Sequence, residues 1–295
     1  MNHTTLLIFK LVAETQSVTQ AAKQLGRAQS NITTRIQQLE EELEAELFVR
    51  GNKKMLLSPA GQNFLSYARR ILSLAEEAKL ALHPARPAGT LKLGAMEACA
   101  ASRLPAILPL FQQRCPDADL TLRTMPTRQL TELVENATLD CALVSLPAGP
   151  DGSLQCPQTL EYLPLFIEQL VLISPVDGRD YRFAAFPAGC TYRQRGIEYL
   201  QQTGAHVDIV DVSSYHAMMA NVATGRYVCL LPESVLALLT LPAGCQTQYV
   251  TQAATQLIWR RGYVSPILDA LRQLLLAPAA GNQPGGSQQH AAGRQ

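Results

Sequence analysis

Between Gln29 and Gln37 the chain reads QSNITTRIQ, and its residue types are those that hydrogen-bond a nucleic-acid duplex. Ile32, Ile36 and Leu39 recur at helical spacing, which turns one side of the segment toward a core. Gln29, Ser30, Thr33, Thr34 and Gln37 then point outward. A glutamine amide matches the donor and acceptor on an adenine edge in the major groove, while serine and threonine hydroxyls bond bases or phosphates. Arg35 can pair with a phosphate, and Arg50, Lys53 and Lys54 form a second basic group suited to sugar–phosphate contact. A solvated polar helix face is the competing reading, and these residues taken alone leave both open.

A second set of residues lies at the ends of predicted strands. Glu97, Ala98, Cys99 and Ser102 follow TLKLGAM; Ser145 follows DCALV; Thr191, Tyr192 and Arg193 precede one helical segment, and Ser213, Ser214 and Tyr215 another. Open α/β sheets bind ligands outside the carboxyl ends of strands, beside helix N-termini. Arg193 at such a terminus favours a small anion such as a carboxylate, whereas Glu97 opposes a strongly acidic ligand or favours one that also carries an amine. Helix capping competes for Ser213 and Ser214, and an internal ion pair competes for Arg193. A thiol switch between Cys99 and Cys190 is disfavoured, because no basic residue is evident beside Cys99 to hold a thiolate.

The elements that must position these groups divide the chain. In the first sixty residues, LLIFKLVAE, SVTQAAKQLG and the Gln29 segment read as three short helices. Ser17 with Gln20 forms a capping-box pattern and Gly26 a stop. VRGNKKMLLSPAG reads as a turn between two short extended pieces, a winged helix-turn-helix order. The run EEELEAE, residues 40 to 46, reads as a solvated face or as ion pairs to nearby arginines. A long helical pattern spans Ser58 to His83, and HPARPAG breaks it. Its apolar stripe exceeds what one small unit covers, so a helix from a second chain is the expected partner. Strands and helices then alternate to the C-terminal region, which argues for parallel sheets with helices on both faces. The tail after residue 278 has no aliphatic residue larger than alanine and is expected to be disordered.

Composition narrows the classes further. A net charge of +1 gives no global basic signature, so any nucleic-acid binding must be local. No apolar run approaches the roughly 18 residues of a membrane span, and the N-terminus has no basic stretch or cleavage site, so cytoplasm is expected. Seven scattered cysteines and five histidines form no metal cluster. No phosphate-loop, dinucleotide-binding, zinc-protease or nucleophile-elbow motif occurs, so neither catalytic residues nor a cofactor are expected.

The N-terminal region resembles the DNA-binding domain of LysR-type transcriptional regulators. The resemblance is carried by Phe9, Val12 and Ala13; Ser17, Thr19, Ala21 and Ala22; Ile36, Leu39 and Glu40; Leu47, Phe48 and Arg50; and Leu57, Ser58, Ala60 and Gly61. It is gapless over about sixty residues, and the coarser layout follows the family to about Ala277. Ala28 stands where the family often has a capping serine, and Ser30 where proline is frequent, so the target sequence is not transferable. The resemblance implies that Gln29, Ser30 and Thr33 read bases and that Arg35, Arg50 and Lys53 hold the backbone. It implies a winged domain over 1–61, a linker and dimerisation helix over 58–83 and a hinge over 84–89. A two-lobed effector domain similar to periplasmic binding proteins follows over 90–278, with lobe I at about 90–163 and 265–278 and lobe II at about 164–264. The four loops above then share a cleft for a small-molecule co-inducer. Expected partners are double-stranded DNA with an interrupted palindrome, a second copy of the chain, commonly two such dimers as a tetramer, and RNA polymerase. A cytoplasmic solute-binding α/β protein and an architectural DNA-binding protein without effector are the alternatives from other classes.

Overall fold

The computed structural model describes residues 1–51, 54–82, 87–149, 152–176, 181–204 and 207–277. Lys53, residues 84–86 of the predicted hinge and the predicted tail lie outside the described residues, as does the side chain of Arg50.

The N-terminal unit is three helices and a hairpin. Helix α1, His3–Thr15, starts where Asn2 Oδ1 accepts the Thr5 N–H at 3.0 Å and ends at Gln16, in left-handed backbone. Helix α2, Val18–Leu25, forms half of the expected capping box: Ser17 Oγ accepts the Gln20 N–H at 3.3 Å, but the Ser17 N–H goes to Thr15 Oγ1 at 3.4 Å and not to the Gln20 side chain, and Gly26 at φ 60° closes the helix. Helix α3, Gln29–Glu42, has no side-chain cap because Ala28 has nothing to offer. Strands β1, Phe48–Gly51, and β2, Lys54–Leu57, pair antiparallel as the wing. Phe9 is the centre of this core, with its ring 5.4 Å from that of Phe48 and 5.1 Å from that of Phe64. Ile32, Ile36 and Leu39 bury against it.

The acidic run is not uniformly a solvated face. Glu40 turns back and accepts the N–H groups of Leu47 and Phe48, at 2.8 and 3.0 Å, which fixes the entry to the wing. Glu42 pairs with the N-terminal amine of Met1. No arginine takes either carboxylate among the described residues, so the expected arginine pairing is replaced by backbone and terminal donors.

Helix α4, Pro59–Ala81, leaves the winged unit with Leu65, Ala68 and Leu72 buried against it. Tyr67, Ile71 and Leu74 lie on another face and are exposed at 52%, 41% and 65%, an apolar stripe that this chain leaves uncovered.

The larger domain is built on one eight-stranded mixed sheet. Strands β3 (Gly89–Ala95), β4 (Ala118–Thr124) and β5 (Cys141–Val144) are parallel. At the other end β7 (Arg182–Ala185), β8 (Asp208–Asp211) and β9 (Tyr227–Pro232) are parallel too. Between them run β6 (Leu160–Pro175) and β10 (Cys245–Arg260), each of 16 residues and antiparallel to one another, giving the order β4-β3-β5-β10-β6-β9-β7-β8. The expectation of parallel sheets therefore holds at both ends and fails in the middle. Apolar runs mark these long strands only in part, at Gln169–Ser174 and Thr255–Arg260. Pro164 and the exposed polar residues Gln246, Thr247 and Gln248 break the apolar pattern of the remainder. Because both ribbons run the whole length of the sheet, they join two lobes, and the loops of each lobe face the other across a seam.

Candidate functional site

Two surfaces concentrate polar chemistry. On α3 the buried Ile32, Ile36 and Leu39 hold the opposite face out: Gln29, Ser30, Thr34 and Gln37 are exposed, and Thr33 and Arg35 are half-buried. Thr33 Oγ1 donates to Gln29 O at 3.1 Å, so its hydroxyl keeps lone pairs for an external donor. No carboxylate pairs with Arg27, Arg35 or Lys54 among the described residues, which leaves these charges for a polyanion. The uncapped N-terminus of α3 presents backbone N–H groups on the same side, where a phosphate fits. Lys54 sits at the start of β2 and is exposed.

The second surface is the seam between the lobes. Helices α5 (Glu97–Ser102, with α6, Leu104–Arg114, directly behind it), α7 (Thr127–Glu135), α8 (Thr191–Gln202) and α9 (Tyr215–Val222) start there, α5, α7, α8 and α9 each being the next element after a strand. They enclose a cleft of about 190 Å³. Glu97, Ala98, Tyr192, Ser213 and Tyr215 line it, as the loop positions predict. Sequence reading missed the stretch Thr124–Thr127 and Phe186, which line it too. The signal was present in RTMPT, a strand-to-helix loop of the same kind as the others. Phe186 and Tyr215 meet edge to face, with ring centroids 4.9 Å apart.

Other predicted positions are occupied internally. Ser102 Oγ donates to Ala98 O at 2.7 Å and receives Ser234 Oγ at 3.3 Å, away from the cleft lining. Ser214 is a cap, accepting the Ala217 N–H at 3.1 Å. Arg193 donates to Phe186 O at 2.9 Å and forms an ion pair with Asp211, on the side of a larger, open groove of about 610 Å³. The two lobes already touch: Thr191 donates its hydroxyl to Ser145 O, and the Arg128 N–H reaches Gly189 O at 3.2 Å. Behind these contacts Ser145 Oγ, Tyr192 OH, Thr255 Oγ1 and Gln256 Nε2 are buried with no hydrogen-bond partner. Gln256 uses its oxygen on the Leu146 N–H at 3.0 Å.

Cys99 is 2% exposed, and burial, with a smaller push from Glu168, raises its thiol to about 12. Arg103, one helical turn on, does lie near it and pulls the other way, a basic neighbour the sequence reading overlooked. Its guanidinium is held by Glu168 at 2.7 Å, and desolvation wins. Iodoacetamide at pH 8 is therefore expected to modify Cys99 roughly a hundred-fold or more slowly in the native than in the unfolded protein. Peptide mass spectrometry after a timed quench reads this, and comparable rates would show the seam to be open.

A winged helix-turn-helix unit joined by a long helix to a two-lobed α/β domain defines a DNA-binding regulator with a ligand-binding domain. The family model described as bacterial regulatory helix-turn-helix protein, lysR family, matches residues 3–62, and the LysR substrate binding domain matches residues 84–280. The chain belongs to the LysR family and is a DNA-binding transcription regulator with a substrate-binding effector domain. It is 34% identical to the transcriptional regulator YofA of Bacillus subtilis (strain 168), over 78% of this chain and 81% of that protein. It is likewise 34% identical to the regulator SoxR of Arthrobacter sp. (strain TE1826), over 79% and 81%. Both are named as transcriptional regulators and neither as an enzyme. In fold it is similar to full-length OxyR from Pseudomonas aeruginosa, with a TM-score of 0.73 at 19% identity over 96% of this chain and 99% of that one. It is also similar to CbnR complexed with its target DNA, with a TM-score of 0.62 at 22% identity over 93% and 99%.

Proposed function

We propose that α3 is the reading helix, with Gln29, Ser30 and Thr33 on base edges, Thr34 and Gln37 flanking them, and Arg35, Arg50, Lys53 and Lys54 on phosphates. One observation carries this reading: the outward face of α3 is polar, uncovered and free of internal ion pairs, while its inward face is fully buried. Alanine at Gln29 or Thr33 is expected to relax sequence preference by about 1–3 kcal/mol at the contacted base pair. Lys54→Ala is expected to weaken binding to all sequences alike and to lower the salt slope by about one. Footprinting and salt titration distinguish the two kinds of contact, and unchanged footprints in both Gln29→Ala and Thr33→Ala would refute base reading.

The exposed stripe Tyr67, Ile71 and Leu74 on α4 supports pairing with the same helix of a second chain. A two-fold dimer then reads an interrupted palindrome, and dimers pair further into tetramers. The winged unit of residues 1–61 and the effector domain of 90–278, with lobes that change sheet end along β6 and β10, are the working parts. The cleft between the lobes holds a small-molecule effector, and unequal binding to the open and closed arrangements shifts the placement of the winged units. The four unpartnered polar atoms at the seam support a ligand there. No helix among the described residues is long and apolar enough to cross a membrane. A regulator of promoters acts in the cytoplasm, where it meets RNA polymerase.

A further inference from the structure

We infer that the effector is a small organic amine whose cationic head sits on Glu97 and whose apolar body packs on Met96, Met125, Phe186 and Tyr215. This rests on the cleft being the effector site, and adds the charge class of what it takes.

The cation nearest the cleft and several of the donors around it are already engaged. Arg193 is bound to Asp211 and to Phe186 O. The start of α8 has no side-chain cap, and Cys190 there leaves its first N–H groups beside a thiol and not beside a cation. The Arg128 N–H of α7 goes to Gly189 O, and α9 is capped by Ser214. An incoming carboxylate would find no cation in the lining, and the uncapped start of α5, the helix whose first turn lines the cleft, already carries the Glu97 carboxylate at its first position.

The charge that does face the cleft has the opposite sign. Glu97 is the one charged residue among its described lining, and no arginine or lysine pairs with it there. Glu97 lies near Tyr215, where its charge adds to the burial that keeps the Tyr215 hydroxyl protonated. An ammonium group beside Glu97 would gain a charge-assisted hydrogen bond and the negative faces of nearby aromatic rings. A carboxylate there would meet like charge.

Two further features set the rest of the molecule. At about 190 Å³ the cleft is smaller than the ~300–1,000 Å³ that encloses drug-sized ligands, so the body is a single ring or a short branched chain. Tyr192 is 4% exposed and lines the cleft, and its hydroxyl and that of Thr255 are buried beside one another with no third group to satisfy them. Both ask for a second polar group on the ligand, or for a water it carries in.

Calorimetry and thermal melting of the full-length protein test this with matched probes. The amines are 2-phenylethylamine and 3-methylbutylamine; the acids of equal shape are 3-phenylpropionate and 4-methylpentanoate; 2-phenylethanol is the neutral control. At least one amine is expected to bind ten-fold or more tightly than its acid and than the alcohol. Glu97→Gln is expected to remove that preference while leaving the melting temperature of the unliganded protein unchanged. Should the variant fold poorly, the same ratio read on the wild-type protein from acid against amine still decides. An acid that binds as tightly as its amine overturns the inference and leaves the cleft as the effector site. The absence of amine binding also overturns it. Separately, the effector reading itself fails if no small molecule of any charge, across a broad metabolite set, alters the melting temperature or the DNA footprint.

Discussion

Gly61→Ala is expected to unfold the winged unit and abolish the specific footprint, although alanine is the best residue for a helix. Gly61 lies in the first turn of α4, where propensity alone favours alanine by about 1 kcal/mol. A Cβ at this position would stand 2.0 Å from Leu47 O and 2.9 Å from Leu47 C. Those are backbone atoms, and they are fixed: the Leu47 carbonyl accepts the Ser58 N–H at 2.9 Å, and the Leu47 N–H is held by Glu40. Ser58 closes the same junction, donating to Glu46 O at 2.6 Å and accepting the Gly61 N–H at 2.9 Å. The added methyl group must therefore part α4 from the wing. Overpacking costs typically 1–3 kcal/mol where side chains can yield; here the obstacle is a carbonyl, so a net loss of about 3 kcal/mol or more is expected. Chemical denaturation of the full chain, followed in the transition of the winged unit, measures it. A wild-type midpoint would show that the helix and wing are not in contact.

Arg260→Ala should lower the melting temperature of the effector domain by roughly 6–12 °C, from a loss of about 3 kcal/mol. Arg260 ends β10 and is 11% exposed. Its guanidinium donates to Val134 O in the last turn of α7 at 3.4 Å, to Leu139 O in the loop that follows at 2.9 Å, and to Ser73 Oγ of α4 at 3.0 Å. Glu77 lies 3.9 Å away, and the Tyr263 ring 4.7 Å below. One side chain thus closes a helix, ties the linker helix to the effector domain and neutralises buried acids. Removing it takes the side-chain donor from Leu139 O, leaves Val134 O with the Ala137 N–H, and leaves Glu77 and Asp140 without their shared cation.

The loss should grow with pH. Burial raises the carboxyl groups of both Glu77 and Asp140, and the Arg260 charge offsets part of that rise. An acid raised in the folded state contributes stability below its unfolded value and loses it as pH rises through the folded value. Without Arg260 both acids rise further, so the variant is penalised most where they must ionise, above the usual carboxylate range, and is partly relieved near pH 5. Melting curves at pH 5 and pH 7.5 would show this, and an equal deficit at both would remove the two acids from the account.

The sequence by itself determined the winged unit almost completely, because its information is local. Helix caps at Ser17 and Gly26, the spacing of Ile32, Ile36 and Leu39, and the hairpin between Phe48 and Leu57 each act within a few residues. The side of α3 that faces outward follows from that spacing. At the cleft the sequence marked strand-end loops correctly but could not say which side chains were already engaged. Arg193 is adjacent in sequence to nothing that would occupy it; Asp211, 18 residues on, is brought to it by the parallel pairing of β7 and β8. The same holds for Gly61, whose need for a bare Cα comes from a carbonyl fourteen residues earlier. The central antiparallel ribbon, too, was decided by partners 70 or more residues apart, from Cys245 opposite Pro175 to Arg260 opposite Leu160. Charge balance and close approach are sums over neighbours in space, so only the tertiary structure could turn a loop rich in hydroxyls, one arginine and one glutamate into a cleft whose free charge is negative.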